Sequence, residues 1–569
     1  MVAYGAILFF ARPTLLSAQS EAAPPCPENP EVSTADLRRR PGAESNSVPT
    51  PACDPTRMPP PASISLPEPA AVPDRWRLVE QLGRPVNLLD PYAASNPIKG
   101  DRPLFGDEVF LNLAATSNSL FEPRRIPTAE RSAGVLPDAI RTATSDQRFW
   151  SQTLSVDTVL YKGDTVFRPP DWQFRFTPAI NYSATQTGPE TASGGVFAVQ
   201  SLFYERHLRD VSPRYDFDSV RVGIQPLTSD FRGFLLSDPP LAARLFGTRD
   251  NNVLQYNIAL ATRIPKDRVR LNDLNTKIPD DQILLANLYW QDLFKLGTTS
   301  EFIFAFNRNR ADVPASGAVD GSTPSTPLQV RRAYDVAYLG YSLDGHFGRL
   351  NTTAAVYGLA GRENRSMFVD QSSQVRALFA ADELSMDFDW RRIRLSMLHA
   401  SGDGNPYDRR DGGFDTLTSG AIFGGSDSSF FFHERLALAG GVFDLKSRDG
   451  LLPSLRPSGN SIESNFSNPG LDALGVGLDL SLTPRWTLSL DANQLWFDKT
   501  APLEALLKQS PLSRRLGAEV VADAIWRPFA TQNVVVRLSG AQLFAGPGYR
   551  ALYGGANPFS AFALLIFNY

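Results

Sequence analysis

The chain has 569 residues, a formal net charge of −4, 20% charged residues and 11% aromatics, with 36 Phe against 5 Met and 4 His. Its mean hydropathy is −0.20, and no run reaches the roughly 18–20 apolar residues of a membrane helix, so a helical membrane protein is excluded. The mildly acidic balance offers no basic stripe, and no nucleic-acid partner is expected.

The first twenty residues, "MVAYGAILFFARPTLLSAQS", hold an apolar core from Ala6 to Ala11 and end in Ala18-Gln19-Ser20, a small-x-small site. This reads as a signal peptide over 1–20, although a basic leader is missing and Arg12 follows the core. A short buried element is the alternative. Cys26 and Cys53 follow the cut; they could pair in an oxidising compartment or be spectators, and neither has redox or metal spacing. Residues 22–75 contain 14 Pro among 54 residues, a composition that cannot bury enough surface to order itself, so 21–75 reads as a disordered linker. "DRWRLVEQLG" (74–83) places Asp74 as a cap before Trp76, Val79 and Leu82 at helical spacing, which predicts a short helix within a lead-in segment, 76–104.

From 105 onward the dominant period is two. Val220, Val222 and Ile224 alternate with Arg221, Gly223 and Gln225, and Leu254, Tyr256, Ile258 and Leu260 with Gln255, Asn257, Ala259 and Ala261. Ile393, Leu395 and Met397 oppose Arg392, Arg394 and Ser396. Leu474 to Leu482 alternate with Gly475, Gly477, Asp479 and Ser481, and Leu516, Ala518, Val520, Ala522, Ala524 and Trp526 oppose Glu519 and Asp523. Runs of about ten residues exceed the usual ~5–6 and suit a tilted bilayer-crossing strand. Short links (342–350, 387–392, 482–486, 526–533) alternate with long polar ones (309–331, 362–373, 403–428, 498–513, 545–557). Trp390, Trp486, Trp496, Trp526, Tyr549 and Tyr553 near strand ends suit an interfacial girdle. The fold class is therefore all-β: a transmembrane antiparallel β-barrel over 105–569 with 16–18 strands and an aqueous lumen. Strand parity is open at 253–309 and 404–470. A soluble sandwich would have shorter strands and no such asymmetry of its rims.

The chain ends "NPFSAFALLIFNY", with Phe559, Ala561, Ala563, Leu565, Phe567 and Tyr569 on one face. This ending resembles the signal read by the barrel-assembly machinery, in which Phe567 and Tyr569 would be the recognised residues. Residues 220–235 and 514–554 are similar to porin-like barrels of the alginate-export type. The resemblance implies the outer membrane of a Gram-negative bacterium, with lipid and the assembly machinery as partners. The 21–75 linker would then be periplasmic, and 22–104 could meet a periplasmic partner. The expected function is passive passage of small polar solutes without a cofactor. Two alternatives stand beside it: a partner-dedicated barrel for exopolysaccharide export or for sheathing an electron-transfer conduit, and a lipid-modifying enzyme.

Several constellations carry the functional reading. Inward-facing Arg221, Gln225, Arg392, Arg394, Asp479, Asp491, Glu519, Asp523 and Arg537 could form opposed basic and acidic rings that select by charge; a wall that merely needs polar groups would look the same. The apolar tip 230–247, with Phe231, Arg232, Phe234, Leu235 and Leu236, reads as a constriction loop, or else as packing on the rim. The stretch 502–517 is a second inward candidate. Asp403, Asn405, Asp408, Asp411 and Asp415 in one Gly-rich loop offer oxygen ligands for Ca²⁺ or, as readily, a solvated turn. For catalysis, His207, His346, His399 and His433 each stand without a triad motif, and His399, with Ser396 and Ser401 near it in sequence, is the one candidate.

Overall fold

The computed structural model describes residues 75–569, except 84–85, 89, 91, 93–94, 129–142, 164–168, 214–215, 268, 276, 279, 311–332, 367, 419, 439–442, 447 and 453–467. The signal peptide, Cys26, Cys53 and nearly all of the 21–75 linker lie outside the described residues. A short helix, Arg75–Gln81, comes first, and no described helix is long and apolar enough to cross a membrane.

Eighteen long strands follow. The first nine are β1 (Val109–Thr128), β2 (Ala143–Lys162), β3 (Trp172–Thr187), β4 (Glu190–Asp210), β5 (Phe217–Ile224), β6 (Leu241–Arg249), β7 (Leu254–Thr262), β8 (Asp281–Gln291) and β9 (Thr298–Asn309). The second nine are β10 (Tyr334–Phe347), β11 (Leu350–Glu363), β12 (Ser373–Phe388), β13 (Arg391–Ala400), β14 (Leu471–Thr483), β15 (Trp486–Trp496), β16 (Arg515–Trp526), β17 (Val534–Ala545) and β18 (Phe559–Asn568). Each pairs antiparallel with its chain neighbours. β18 returns to β1, from Thr116 opposite Asn568 to Arg125 opposite Phe559. The sheet is a closed antiparallel barrel, so no strand edge is left unpaired. The open parity resolves: 253–309 supplies three barrel strands, and 404–470 supplies none.

Closure sorts the side chains by face. Along β7, Ile258 and Leu260 are 45% and 63% exposed on the outside while Ala259 between them is fully buried. Leu474 and Val476, and Ile393, Leu395 and Met397, are likewise exposed outward. Turns at 348–349, 389–390 and 484–485 mark one rim, where β1 begins and β18 ends, and longer links such as 225–240 and 263–280 leave from the other. Trp390, Trp486 and Trp526 are exposed at the short-turn rim, and the rings of Trp486 and Trp526 stack at 5.7 Å.

Three expectations need correction. Tyr549 and Tyr553 are not girdle residues. Pro547–Tyr553 is a helix over β16 and β17, which buries both rings, 4.6 Å apart. Leu516 faces inward rather than lipid-ward, because the register of β15 and β16 shifts there. Gly517 beside it has φ +150°, and a Cβ on it would lie 2.4 Å from the Phe544 carbonyl oxygen, so only Gly fits this bulge. Third, the lumen is not an open aqueous space. One hydrophobic cluster occupies much of it, joining inward residues of β1 and of β6–β17 to described residues of the 227–236 and 414–452 segments.

The lead-in segment runs back along β1. Lys99 bridges to Asn112, and the Leu113 amide donates to Ile98 O at 2.8 Å. This places buried Asn96 where its Nδ2 reaches the Tyr569 hydroxyl (3.2 Å), and that hydroxyl itself donates to Leu88 O. Lys99 Nζ lies 4.2 Å from the centre of the Tyr569 ring. The last residue is thus gripped at the seam rather than frayed.

Candidate functional site: the occupied lumen

The first inward segment is the loop between β5 and β6. Because Leu241–Arg249 is a barrel strand, the loop is 225–240 rather than 230–247. Its tip is built around the buried carboxylate of Asp230, which accepts from the backbone N–H groups of Arg232 (3.0 Å) and Gly233 (2.7 Å), from Ser229 Oγ (2.9 Å) and from the Tyr357 hydroxyl (2.5 Å). With its polar groups satisfied, the tip can present Phe234, Leu235 and Leu236, all 1% exposed or less. Phe234 packs 5.2 Å from Phe379 and 5.7 Å from Phe423, and Phe379 stacks on Phe414 at 5.2 Å. Arg232 ties the tip to the wall at Glu383 (2.8 Å), and Phe231 meets Tyr289 at 5.9 Å.

The second segment is 401–470 between β13 and β14, of which 403–428 was expected as a long polar link and 404–470 was open in strand parity. Its described residues cross the interior instead. On one arc of the ring, Arg263 donates to Leu417 O (2.8 Å) and the Tyr338 hydroxyl to Asp415 O (3.0 Å). On the opposite arc, Glu519 of β16 accepts from Ser429 Oγ (2.7 Å) and the Phe431 amide (2.9 Å). Asn493 donates to Gly424 O (2.8 Å), and Arg537 pairs with Asp427 and, at 2.7 Å, with Asp523. A buried charge lock completes the seat. Glu122 of β1 meets Arg448 at 2.8 Å, Arg124 meets Glu434 at 3.0 Å, and His433 Nδ1 meets Asp449 at 2.5 Å. Both guanidiniums lie 5.0 Å from the Phe149 ring centre. Desolvation opposes charge on His433, but Asp449 and Glu122 outweigh it and push its pKa up to about 9. Burial lowers that of Lys446 to about 7, its ammonium donating to Glu434 O at 2.6 Å.

Below the crossing, toward the short turns, lies a polar cavity of about 730 Å³ lined by Asp344, His346, Glu383, Arg392, Arg394 and Asp479, among others, with Arg232, Gly424, Gly425, Asp427 and Ser428 closing it. Arg394 reaches Asp479 (2.8 Å), Asp491 (2.9 Å) and Glu383 (3.7 Å), and Arg392 reaches Asp387 (2.5 Å).

The remaining expected residues fall as follows. Arg392, Arg394, Asp479, Asp491, Asp523 and Arg537 share the cavity wall, but as interlocked pairs on β13–β17 rather than as opposed rings. Arg221 stands apart, bonded to Glu205 (2.5 Å) with the Phe203 ring 4.3 Å away. Glu519 and Gln225 do not face water. Glu519 seats the crossing segment, and Gln225, fully buried just past β5, donates to Ala242 O at 2.9 Å. Asp403, Asn405, Asp408, Asp411 and Asp415 do not converge on a cation. Asn405 accepts from the Tyr407 amide (3.3 Å), Asp408 from Arg410 (2.7 Å) and Asp411 from Gly413 (2.9 Å), which are turn bonds, while Asp403 accepts from the Gly412 amide (3.4 Å) and Asp415 from Asn468 Nδ2 (3.0 Å). Ser396 and His399 point to opposite faces of β13. Ser396 bonds Glu383 (3.1 Å) inside, and half-exposed His399 bonds Asp472 (2.7 Å) outside. Within 502–517, Leu503, Leu506, Leu512 and Leu516 are buried. Phe567 is exposed outward on β18.

Sequence reasoning missed Asp230, Glu122, Arg124, His433, Glu434, Lys446 and Arg448. The signal for His433 and Glu434 was "FFFHERLAL" (430–438), as apolar as the 231–236 tip and set in the 404–470 stretch of open strand parity.

No protein-family model and no curated protein matches this sequence. Solved structures do. The crystal structure of Pseudomonas aeruginosa OccK7 (OpdD) aligns with a TM-score of 0.45 at 10% identity, over 82% of this chain and 99% of its own. A BenF-like porin from Pseudomonas fluorescens Pf-5 gives 0.44 at 10% identity, over 80% and 98%. Pseudomonas aeruginosa OccK9 (OpdG) gives 0.45 at 10%, over 80% and 98%. These likenesses concern barrel architecture alone.

Proposed function

We propose that the protein is an outer-membrane channel of a Gram-negative bacterium that passes small polar solutes passively, with 225–240 and 401–470 setting its selectivity. The observation that carries this reading is the closed barrel with an apolar outer surface and a polar cavity inside. In lipid every backbone group must be paired within the protein, which closure achieves. A lumen narrowed by seated segments discriminates more sharply than a wide pore of the same strand number. The reading is of a conduit and not a catalyst, since Ser396 and His399 lie on opposite faces. Lipid and the barrel-assembly machinery are the proposed partners, the latter reading Phe567 and Tyr569; a periplasmic partner for 22–104 belongs to the same reading.

Planar-bilayer recording tests it. The full chain should give small, solute-sensitive conductance, and deletion of 403–467 should enlarge it severalfold. A deletion variant that is folded and inserted yet passes no current would refute the channel.

A further inference from the structure

The outer face of β9–β12 at the long-loop rim carries a feature that a solute channel does not require. Leu339 of β10, Gly358 of β11 and Leu378 of β12 are direct cross-strand neighbours facing outward. Leu339 is 70% exposed and Leu378 49%. Gly358 between them leaves a trough, since a Cβ there would meet nothing within 4 Å. The resulting groove has a volume of about 820 Å³ and continues past Ala360 to Arg376 and Lys499.

Toward the rim the same outward rows turn basic. Arg376 lies one row above the groove, opposite Ala360, and Arg362 and Arg308 occupy the next row, on either side of Asp335. All three arginines are exposed, and among the described residues none has an ion-pair partner. The facing carboxylates are otherwise engaged: Asp335 is bonded by Arg310 at 2.5 Å, and Asp498 accepts from the Gly402 amide at 2.9 Å. Arg362 and Arg376 are diagonal neighbours across β11 and β12, about 7–8 Å apart and within reach of long side chains, so their guanidiniums can converge on one phosphate, while Arg308, two strands from Arg362, is placed for a second.

We infer that this face binds lipid A, the phosphorylated glycolipid of the outer leaflet, with its phosphates on Arg308, Arg362 and Arg376 and acyl chain in the groove over Gly358. The assignment rests on the outer-membrane reading, which puts the long-loop rim at the outer leaflet. Arginine suits phosphate by its bidentate fork, and a glycine trough beneath suits a chain rather than a protein side chain.

Native mass spectrometry of the full-length protein in detergent, with bis-phosphorylated lipid A as probe, tests the site. Occupancy should fall about tenfold or more in Arg308→Ser/Arg362→Ser/Arg376→Ser and for dephosphorylated lipid A, because charge-assisted bidentate bonds carry the headgroup. Gly358→Leu, which fills the trough and leaves the charges, should also weaken binding. Equal occupancy in the triple variant, or equal retention of dephosphorylated lipid A or phosphatidylglycerol, overturns the site. Bilayer recordings of the same preparations separate the two levels: protein that inserts and conducts but ignores lipid A refutes this site alone. Folded protein that does not insert refutes the membrane reading and this site with it.

Discussion

Replacing Glu519 by Ala asks whether segment 401–470 is a displaceable occupant of the lumen. The Glu519 carboxyl receives Ser429 Oγ at 2.7 Å, the Phe431 amide at 2.9 Å and Asn493 Nδ2 at 3.3 Å. In Glu519→Ala two of these groups keep a second bond: Ser429 Oγ still accepts from the Phe432 amide (3.0 Å), and Asn493 still donates to Gly424 O (2.8 Å). The Phe431 N–H is left buried without an acceptor. One stranded donor at ~1–3 kcal/mol plus two partly compensated bonds at ~0.5 kcal/mol each puts the loss at about 2–4 kcal/mol. The seated state should then weaken by roughly 30- to 1000-fold relative to the released one. Single-channel recording reads this as longer dwell in a high-conductance state, and trypsin should cut sooner at Arg435 and Arg448. Unchanged dwell and cleavage, with the barrel still folded by gel mobility, would refute the seating role of Glu519.

Asp403 is buried, and burial, with Asp411 nearby, raises its pKa from 3.8 to about 6. Its ionised form is disfavoured in the fold, so native stability falls as pH rises from about 4 to 6 and stays lowered above; Asp403→Asn should gain on the order of 2 kcal/mol at pH 7 and nothing below pH 4, by thermal unfolding. Tyr569→Phe removes the bonds to Leu88 O and Asn96 and should cost about 1 kcal/mol, lowering the heat-modifiability midpoint by a few degrees. It should leave assembly in cells unchanged, whereas Tyr569→Ala should impair both. Arg448→Met takes from buried Glu122 its nearest charge partner and leaves Arg124 at 3.3 Å and His433 at 3.4 Å, so it should cost about 1.5–3 kcal/mol in thermal unfolding, with part of it restored in Arg448→Met/Glu122→Gln.

The barrel was legible because its outer face imposes one requirement at every second residue. Ile258 and Leu260, or Leu474 and Val476, must be apolar whatever the protein conducts. The inner face imposes no comparable rule. Glu519 and Asp523 alternate identically whether they meet water or receive a folded-in segment, so the local pattern carries no information on which. Charge rings were misread for the same reason: Arg394 pairs with Asp479 of the adjacent strand and Asp491 of the next, and strand order within a sheet is not encoded in either segment alone. Leu516 was lost to a bulge that only the Gly517 conformation reveals. Other errors were avoidable. Tyr549, Leu552 and Tyr553 stand at helical spacing behind Pro547, a favoured first helical residue, and not at the alternation of a strand end. The apolar argument applied to 231–236 applied equally to 430–438.

Where the crossing segment is seated also bears on how the barrel closes. Its polar contacts concentrate on β1, through Glu122 and Arg124, and on β16 and β17, through Glu519 and Arg537, while the His433 ring lies 6.2 Å from Phe562 of β18. These strands flank the seam between β18 and β1. The lead-in segment grips the same seam from the short-turn rim, through Asn96, Lys99 and Tyr569. The seam is therefore held by its ladder, by the clasp on Tyr569 and by the charge lock inside. All three join residues more than 300 positions apart, as the 310-residue separation of Arg124 and Glu434 illustrates, and contacts that close such large loops form late. Closure and filling of the lumen therefore support one another without being inseparable: the lock joins the crossing segment to Glu122 and Arg124 of β1, and β18 meets β1 through its own ladder, so the segment can leave the lumen while the barrel stays shut.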